Sequence, residues 1–384
     1  MRISFILPCY PWKPIGGFRA VYEYANGLAA RRHQVTVVHP SRIPLVDTPF
    51  SVNPLTGLRT QAARLRDLLL SPRIAWQFID ERVCMSYVRN LDASRVPDAD
   101  AVFATAWETV DHVLALPPSK GARFYLIQHY ETWQGPTSKV DATWRAPLHK
   151  VVVSSWLGEI GRKLGCENVC CIPYGIDHEK YCMSSPITGR PRRVAMLYDR
   201  QNWKGSSDGL RALRIVKDRY PDLRAAFFGT PQPSEPLPDW VQYFRNPPQE
   251  TLVIDVYNGS SIFLCSSWAE GFSLPPAEAM ACGCAVVATD CGGIREFAEP
   301  EVTALLSPPR DPEALARNIL RLLDDDALRQ RLAAAGHERI QSFTWERSTD
   351  QLERFIEKQV GSGTGTFSPG KPERIRTTDG PGRV

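Results

Sequence analysis

The stretch that decides the fold is Trp268–Gly283, WAEGFSLPPAEAMACG. It follows the apolar run Ile262–Cys265, which is typical of a buried strand. Gly271 permits a tight turn after that strand, and Pro275–Pro276 suits the first turn of a helix, where a missing N–H costs nothing. Gly283 is a natural C-terminal stop for this short helix. A strand, a glycine-containing loop and a helix in this order are typical of an α/β sheet.

The loop itself predicts an anion site. We expect the backbone N–H groups of Phe272, Ser273 and Leu274 to lie free near the helix N-terminus, where free donors and the helix dipole attract phosphate. Glu270 precedes the loop, and Glu278 is expected on the first helical turn. Both carboxylates can then accept hydrogen bonds from sugar or ribose hydroxyls held over the strand ends. Taken singly, Glu278 is explained as well by the helix dipole and Glu270 as a surface acid, but the whole arrangement favours a ligand site.

The rest of the chain alternates strand-like and helical patterns, which predicts parallel sheets covered on both faces. Strands are expected at Ile3–Leu7, Val35–Val38, Ala101–Ala104, Phe124–Ile127, Val151–Val153, Val169–Ile172, Val194–Tyr198, Ala225–Phe228, Ile262–Cys265, Ala285–Ala288 and Ala304–Leu306. Helices are expected at Phe18–Arg32, Trp156–Leu164, Asp208–Arg219, Ala277–Ala281, Pro312–Asp324 and Trp345–Val360. The pattern therefore predicts two successive doubly wound units, with a hinge around Tyr174–Gly175.

Composition excludes several classes of protein. The chain has 384 residues with 46 Lys and Arg against 42 Asp and Glu, a net charge of +4, which argues against a nucleic-acid binder. It contains no long apolar run and no signal-peptide pattern at Met1–Tyr10, so we expect a cytoplasmic protein. The ten cysteines form no pair of C-x-x-C motifs, so reduced thiols are expected rather than a metal site.

The segment GLRTQAARLRDLLL, residues 57–70, alternates leucines and arginines at helical spacing. Such a basic amphipathic helix can rest on an anionic membrane surface, which would make the protein peripheral to the inner face of a membrane. The alternative is a helix that packs on its own domain with a solvated basic face.

The segment from Glu270 to Phe297, EGFSLPPAEAMACGCAVVATDCGGIREF, resembles the donor-site signature of retaining glycosyltransferases of family 4, which have the GT-B fold. Glu270 and Glu278 match the spacing of that family's two glutamates. The segment CIPYGIDHEKY, residues 171–181, is similar to the family's interdomain linker. The resemblance implies two Rossmann-like domains facing across a cleft: an acceptor-side domain at 1–173 and a nucleotide-sugar-binding domain at 174–345. Residues 346–360 are then expected to pack back toward the first domain as a helix, and 361–384 to be disordered.

The resemblance also implies roles for individual residues. Glu270 would contact the transferred sugar near its reacting face, and Glu278 would bind the nucleotide ribose. Arg200 and Lys204 match the family's basic pair, which neutralises the donor diphosphate, although their spacing is shorter than in many members. The alternative for Arg200 and Lys204 is a solvated pair of basic residues before a helix.

In the first half, Gly16 and Gly17 match the family's glycine loop, which approaches the donor phosphates; a simple tight turn is the alternative. His129 follows a predicted strand, where family members often place a histidine close to the donor sugar. The surrounding Gln-His-Tyr-Glu resembles a rhamnosyltransferase-like branch. The nucleobase is expected near Tyr243 and Asn246, although Tyr243 fits a core position equally well.

Together these features predict a retaining, metal-independent hexosyltransferase that moves a sugar from a nucleotide-diphosphate sugar to an acceptor hydroxyl. The nucleotide sugar is a co-substrate, so no cofactor is expected, and UDP, dTDP and GDP all stay open as its nucleotide. A surface polysaccharide or a lipid-linked glycan is the expected acceptor. The alternatives are a nucleotide-sugar epimerase or phosphorylase and a non-catalytic nucleotide-sugar-binding module on the same fold.

Overall fold

The computed structural model describes residues 1–12, 14–41, 74, 76–133, 135–166 and 168–361. These residues form two parallel sheets, one in each half of the chain. The first sheet consists of β1 (Arg2–Ile6), β2 (Gln34–Pro40), β3 (Cys84–Val88), β4 (Ala101–Ala104), β5 (Ala122–Ile127), β6 (His149–Val152) and β7 (Val169–Cys171). The second consists of β8 (Arg193–Leu197), β9 (Arg224–Gly229), β10 (Val241–Arg245), β11 (Ile262–Cys265), β12 (Ala285–Thr289) and β13 (Ala304–Ser307).

Helices connect the strands. They are α1 (Gly16–Ala30), α2 (Trp107–Ala115), α3 (Thr137–Arg145), α4 (Ser155–Lys163), α5 (Ser206–Arg219), α6 (Leu274–Ala281), α7 (Pro312–Asp324), α8 (Asp326–Ile340) and α9 (Trp345–Gly361), with a π-helical stretch at Leu252–Asn258. The strand orders are β3-β2-β1-β4-β5-β6-β7 and β10-β9-β8-β11-β12-β13. Both orders reverse direction once, at β1/β4 and at β8/β11, as in doubly wound nucleotide-binding sheets, and a ligand crevice is expected outside the strands' carboxyl ends at each reversal.

The prediction of two doubly wound α/β units is confirmed, and each predicted strand is present to within a residue or two. The edge strands β3 and β10 were not predicted, because their side chains are largely half-buried or exposed and give no clear apolar run. Helices α2, α3 and α8 were also missed. The basic segment 57–70 and the tail 362–384 lie outside the described residues. None of the described helices combines the length and the apolar character needed to cross a membrane.

The last helix, α9, returns to the first sheet. The carboxylate of Glu353 on α9 lies 2.7 Å from Nε2 of His33, measured to its Oε1. The ring centroid of Phe355, also on α9, lies 5.9 Å from that of Phe124 on β5. The chain passes from the first domain to the second near Ile176 and returns after Phe343. The backbone N–H of Ile176 donates a hydrogen bond to the carbonyl of Phe343, so these two connections lie side by side.

Candidate active site

The predicted strand–loop–helix is present, but its tight turn is at a different residue. Ser273, the residue before α6, has a left-handed φ of 76°, whereas Gly271 is not among the residues with positive φ. Gly271 is required for another reason: a Cβ at this position would lie 1.8 Å from the carbonyl oxygen of Gln128 in the first domain. Gly283 follows Cys282, the C-cap residue of α6, and has a φ of 81°, as expected for a C-terminal stop.

The N-terminus of α6 offers free hydrogen-bond donors. Among the described residues, the backbone N–H groups of Phe272, Ser273 and Leu274 donate to no protein acceptor. The Phe272 side chain anchors the loop, since it is buried with its ring 5.5 Å from that of Tyr174. A held loop with free amides at the positive end of a helix is suited to bind a phosphate group.

Glu270 and Lys204 meet beside these amides. Lys204 Nζ lies 2.7 Å from Glu270 Oε1, and the Ser267 hydroxyl donates to the same oxygen at 2.7 Å. Lys204 is brought there by a short 3₁₀ turn that ends at Gly205, which is left-handed with a φ of 62°. Only glycine fits at that position, because a Cβ would lie 1.9 Å from the carbonyl oxygen of Ser266. The second domain thus holds a carboxylate and an ammonium group together at the carboxyl ends of β8 and β11.

Glu278 faces the first domain. It lies on the second turn of α6 rather than on the first turn as predicted, because the helix begins at Leu274. Its carboxylate is almost fully buried and accepts hydrogen bonds from Arg19 Nη1 at 2.6 Å and from the Tyr257 hydroxyl at 2.8 Å. Burial is the largest single influence on the pKa of Arg19 and would lower it, but the nearby Glu278, Tyr181 and Glu23 together outweigh burial and raise that pKa above its ordinary value.

His129 lies across the cleft from Glu270. Its Nε2 is 3.1 Å from the carbonyl oxygen of Ala269, so the tautomer with a proton on Nε2 donates there. Its ring packs against two indoles, at 4.1 Å from Trp133 and 5.3 Å from Trp203. Burial lowers the pKa of His129 to about 4, despite the opposing charge of Glu270. The imidazole is therefore neutral at neutral pH and can orient a hydroxyl group without adding charge.

The remaining predicted residues lie around this centre. Gly16 and Gly17 form the first turn of α1 rather than a loop, and a Cβ on Gly17 would approach the Gln128 side chain to 3.1 Å. Arg200 is exposed and donates to the carbonyl of Gln232, so the structure does not bring it to Lys204 and Glu270.

Of the two residues predicted for the nucleobase, Tyr243 lies in the middle of β10 and Asn246 lies directly after its carboxyl end. The hydroxyl of Tyr243 donates to the carbonyl of Pro231 at 2.5 Å, and Asn246, at a φ of 46°, donates its N–H to the carbonyl of Gly229. Asn246 and Glu270 each lie beyond the carboxyl end of a strand of the second sheet, β10 and β11 respectively. No described contact joins Tyr243 or Asn246 to the two glutamates.

Sequence reasoning missed four residues at this site: Arg19, Tyr257, Trp133 and Trp203. The two tryptophans stand near His129 and Lys204 in the chain, which was the available signal. Arg19 and Tyr257 carry no such signal, since they reach Glu278 only through the fold.

The comparison with protein families bears on the second domain. Residues 193–325 match the model of the family described as "Glycosyl transferases group 1". The O-antigen chain mannosyltransferase B of Escherichia coli is 36% identical over 115 residues, which are 29% of each protein. The phosphatidyl-myo-inositol mannosyltransferase of Mycolicibacterium smegmatis is 24% identical over 398 aligned residues, 98% of this chain and 99% of that protein.

Solved structures agree in fold. Sucrose-phosphate synthase from Thermosynechococcus elongatus superposes with a TM-score of 0.69 at 18% identity, covering 94% of this chain and 99% of that one. The Anabaena protein HepE in complex with UDP-glucose gives 0.69 at 16% identity, covering 93% and 100%. The chain has the GT-B fold, with two Rossmann-like domains, and its second domain is similar to the glycosyl transferases of group 1. The predicted rhamnosyltransferase-like branch stays a prediction.

The first curated relatives are matched only in part. The chain spans 29%, 44% and 62% of the length of the O-antigen mannosyltransferase, a D-inositol 3-phosphate glycosyltransferase of Corynebacterium diphtheriae and a mycobacterial phosphatidyl-myo-inositol mannosyltransferase. Within the described ranges of this GT-B protein, no group of three His, Cys, Asp or Glu side chains is arranged to hold a metal ion.

Proposed function

We propose that this GT-B protein transfers a sugar from a nucleotide-diphosphate sugar to an acceptor hydroxyl, with retention of anomeric configuration and without a metal ion. The observation that carries the proposal is the Lys204–Glu270 pair beside the free amides of α6. A cation and N–H donors suit a diphosphate, and a carboxylate suits sugar hydroxyls. The two kinds of group stand together where the donor's diphosphate and sugar are joined.

The diphosphate is the leaving group, and it gains negative charge as its bond to the sugar breaks. Lys204 and the amides of Phe272–Leu274 are fixed in place before the reaction and stabilise that charge at no reorganisation cost. In the front-face displacement that we favour, the bond between the anomeric carbon and the phosphate oxygen breaks. The acceptor oxygen then bonds to the anomeric carbon on the same face, and its proton passes to the departing phosphate oxygen.

Glu270 and His129 flank the sugar in this scheme. Glu270 accepts hydrogen bonds from the sugar, and the neutral His129 orients one of its hydroxyls from the opposite domain. Glu278 binds the nucleotide ribose with whichever lone pairs Arg19 and Tyr257 leave available. Closure of the cleft excludes water and suppresses hydrolysis of the donor.

The nature of donor and acceptor is supported by the relatives' names alone. The E. coli relative is named for mannose transfer to an O-antigen chain and the mycolicibacterial one for mannose transfer to phosphatidyl-myo-inositol. A polysaccharide or lipid-linked glycan acceptor therefore fits this chain. UDP, dTDP and GDP are the nucleotides to test, and a place at the inner face of the membrane is consistent with such an acceptor.

A thermal-shift panel with UDP, dTDP, GDP and their sugars tests the donor site. A ligand present at a hundred times its dissociation constant adds about 2.7 kcal/mol to the stability of the folded protein. We expect one nucleotide series to stabilise the wild type and to lose its effect in Lys204→Ala. Lys163→Ala removes an exposed lysine from α4 as the control and should bind as the wild type does.

An acceptor-dependent assay separates the enzyme from its alternatives. Release of nucleoside diphosphate that depends on added acceptor supports transfer. Conversion of the nucleotide sugar to an isomer without acceptor would point to an epimerase, and binding without turnover to a non-catalytic module.

A further inference from the structure

Two indoles from opposite domains stack across the cleft. Trp133 stands on the loop after β5, and Trp203 on the 3₁₀ turn that carries Lys204. Their ring centroids are 4.6 Å apart at an interplanar angle of 30°. His129 meets both rings edge-on, so the stacked pair borders the place assigned above to the donor sugar.

Three neighbours hold the indole of Trp203 in place. Lys204 Nζ lies 4.2 Å from the centroid of its ring, and Trp133 stacks on it. Its indole N–H donates to the side chain of Gln201 at 3.1 Å. Trp203 is therefore held by its own domain, and its surface toward the first domain is a fixed apolar wall.

Trp133, in contrast, has an unused donor. Its indole Nε1 is buried and has no hydrogen-bond partner among the described residues. A buried N–H without an acceptor is unfavourable, so such a group calls for a ligand or an ordered water. The donor lies on the first-domain side of the cleft, and Lys204 and the α6 amides lie on the other side.

We propose that Trp133 and Trp203 form a slot for a pyranose ring of the acceptor. The proposal rests on the proposed function and names the acceptor class of that same site. The C–H face of the sugar ring packs on the indole of Trp133, and one ring hydroxyl accepts the hydrogen bond of its Nε1–H. The acceptor is assigned here rather than the donor because Trp133 belongs to the domain opposite the diphosphate groups.

The slot is closed in the structure, since the indoles touch each other. A ring therefore enters only when the two domains part at this point. The backbone of Gly271 against Gln128 shows how close the domains otherwise approach, as a single Cβ would not fit between them. An acceptor without a ring, such as a simple polyol, has no flat face that could take over the stacking contact each indole now makes with the other.

Binding of soluble glycosides tests the slot. Octyl α-pyranosides of mannose, glucose, rhamnose and N-acetylglucosamine serve as probes, with 1-O-octylglycerol as the probe that has hydroxyls but no ring. Binding is measured by titration calorimetry on the full chain in the presence of UDP. We expect the wild type to bind at least one pyranoside in preference to 1-O-octylglycerol.

Two substitutions at Trp133 separate stacking from hydrogen bonding. Trp133→Ala should weaken pyranoside binding at least tenfold, and Trp133→Phe, which keeps an aromatic face, should weaken it less. UDP affinity should change less than twofold in both. Trp203→Ala tests the opposite wall of the slot, and Trp240→Phe, which removes an indole beside the amino end of β10, is the matched control.

Several outcomes would overturn the slot: pyranoside affinity unchanged in both Trp133→Ala and Trp203→Ala, equal loss of UDP and pyranoside binding, or no preference of the wild type for a ring. Failure of the wild type to bind any nucleotide counts instead against the proposed function. Pyranoside binding measured without nucleotide then still reports on the slot by itself.

Discussion

Arg19 of α1 and Glu278 of α6 form an ion pair between the two domains, with Nη1 and Oε1 2.6 Å apart. The same guanidinium receives support from Tyr181, whose hydroxyl accepts a second hydrogen bond at 2.9 Å and whose ring lies beneath it. The carboxylate that the family resemblance assigns to the nucleotide ribose is thus also the carboxylate that ties the first domain to the second. Donor binding and domain contact are coupled at this residue.

Replacing Arg19 by Ala should destabilise the protein, because it leaves the buried charge of Glu278 without its cation. Removal of one partner from a buried pair costs about 3–5 kcal/mol, and the partial exposure of Arg19 places the expected loss at the lower end. Urea unfolding measures it. Arg2→Ala breaks the solvent-exposed Arg2–Asp100 pair and should cost much less stability than Arg19→Ala does, because solvent screens an exposed ion pair. Equal losses in the two variants would show that the Arg19 pair is not a buried interdomain contact.

Replacing Glu270 by Gln should abolish sugar transfer and leave the fold intact. The substitution preserves size and the hydrogen bond from Ser267 but removes the charge that Lys204 faces. We expect the turnover rate to fall by about a hundredfold or more, as for loss of one preorganised electrostatic group. Initial rates with saturating donor provide the measurement, and circular dichroism checks the fold. Glu346→Gln, at an exposed position on α9, is the control, and normal transfer by Glu270→Gln would show that the site is wrongly assigned.

Replacing Gly271 by Ala should force the domains apart at the cleft. The added Cβ would lie 1.8 Å from the Gln128 carbonyl oxygen, and backbone on both sides leaves little room to yield. Each domain should still fold, so we expect a larger radius of gyration in small-angle scattering together with at least tenfold lower transfer. Gly361→Ala adds its Cβ into open space at the end of α9 and should change neither quantity. Unchanged scattering and activity in Gly271→Ala would mean that the domains do not close as described.

His129 should make stability depend on pH in the acidic range. Burial lowers its pKa from 6.5 in a free side chain to about 4 in the folded protein. Between these values the unfolded chain binds the proton and the folded protein does not, so stability falls as the pH is lowered from about 6.5 to about 4. His129→Gln should remove this part of the dependence, measured as urea midpoints at pH 7 and pH 5.

The comparison of the wild type with His129→Gln reports on His129 alone. His39 is buried beside the carbonyl of Cys9 and has its pKa lowered to about 4 by the same cause, but it is present in both proteins. If the wild type and His129→Gln lose the same stability between pH 7 and pH 5, the imidazole is not buried as described.

Much of the fold could be predicted from local patterns. The predicted bounds of β4, β11 and α7 agree with the structure to the residue. A buried strand has a continuous apolar run and an amphipathic helix has apolar residues at helical spacing, so both can be recognised from the local sequence. The edge strand β10 could not be predicted in this way, because only its neighbour β9 completes its hydrogen bonds. The turn before α6 was placed at Gly271, although the left-handed residue is Ser273.

By itself the sequence determined two doubly wound domains, the glutamate-bearing loop and helix, and the stop at Gly283, because these depend on residues that are neighbours along the chain. Only the tertiary structure decided that Arg19 reaches Glu278, that Trp133 stacks on Trp203, and that His129 is neutral. Such partners lie on helices and loops of opposite domains, and they meet only because the carboxyl ends of the two sheets face each other across the cleft. Burial between the two domains sets the charges and contacts of these residues, and this burial cannot be read from the local sequence.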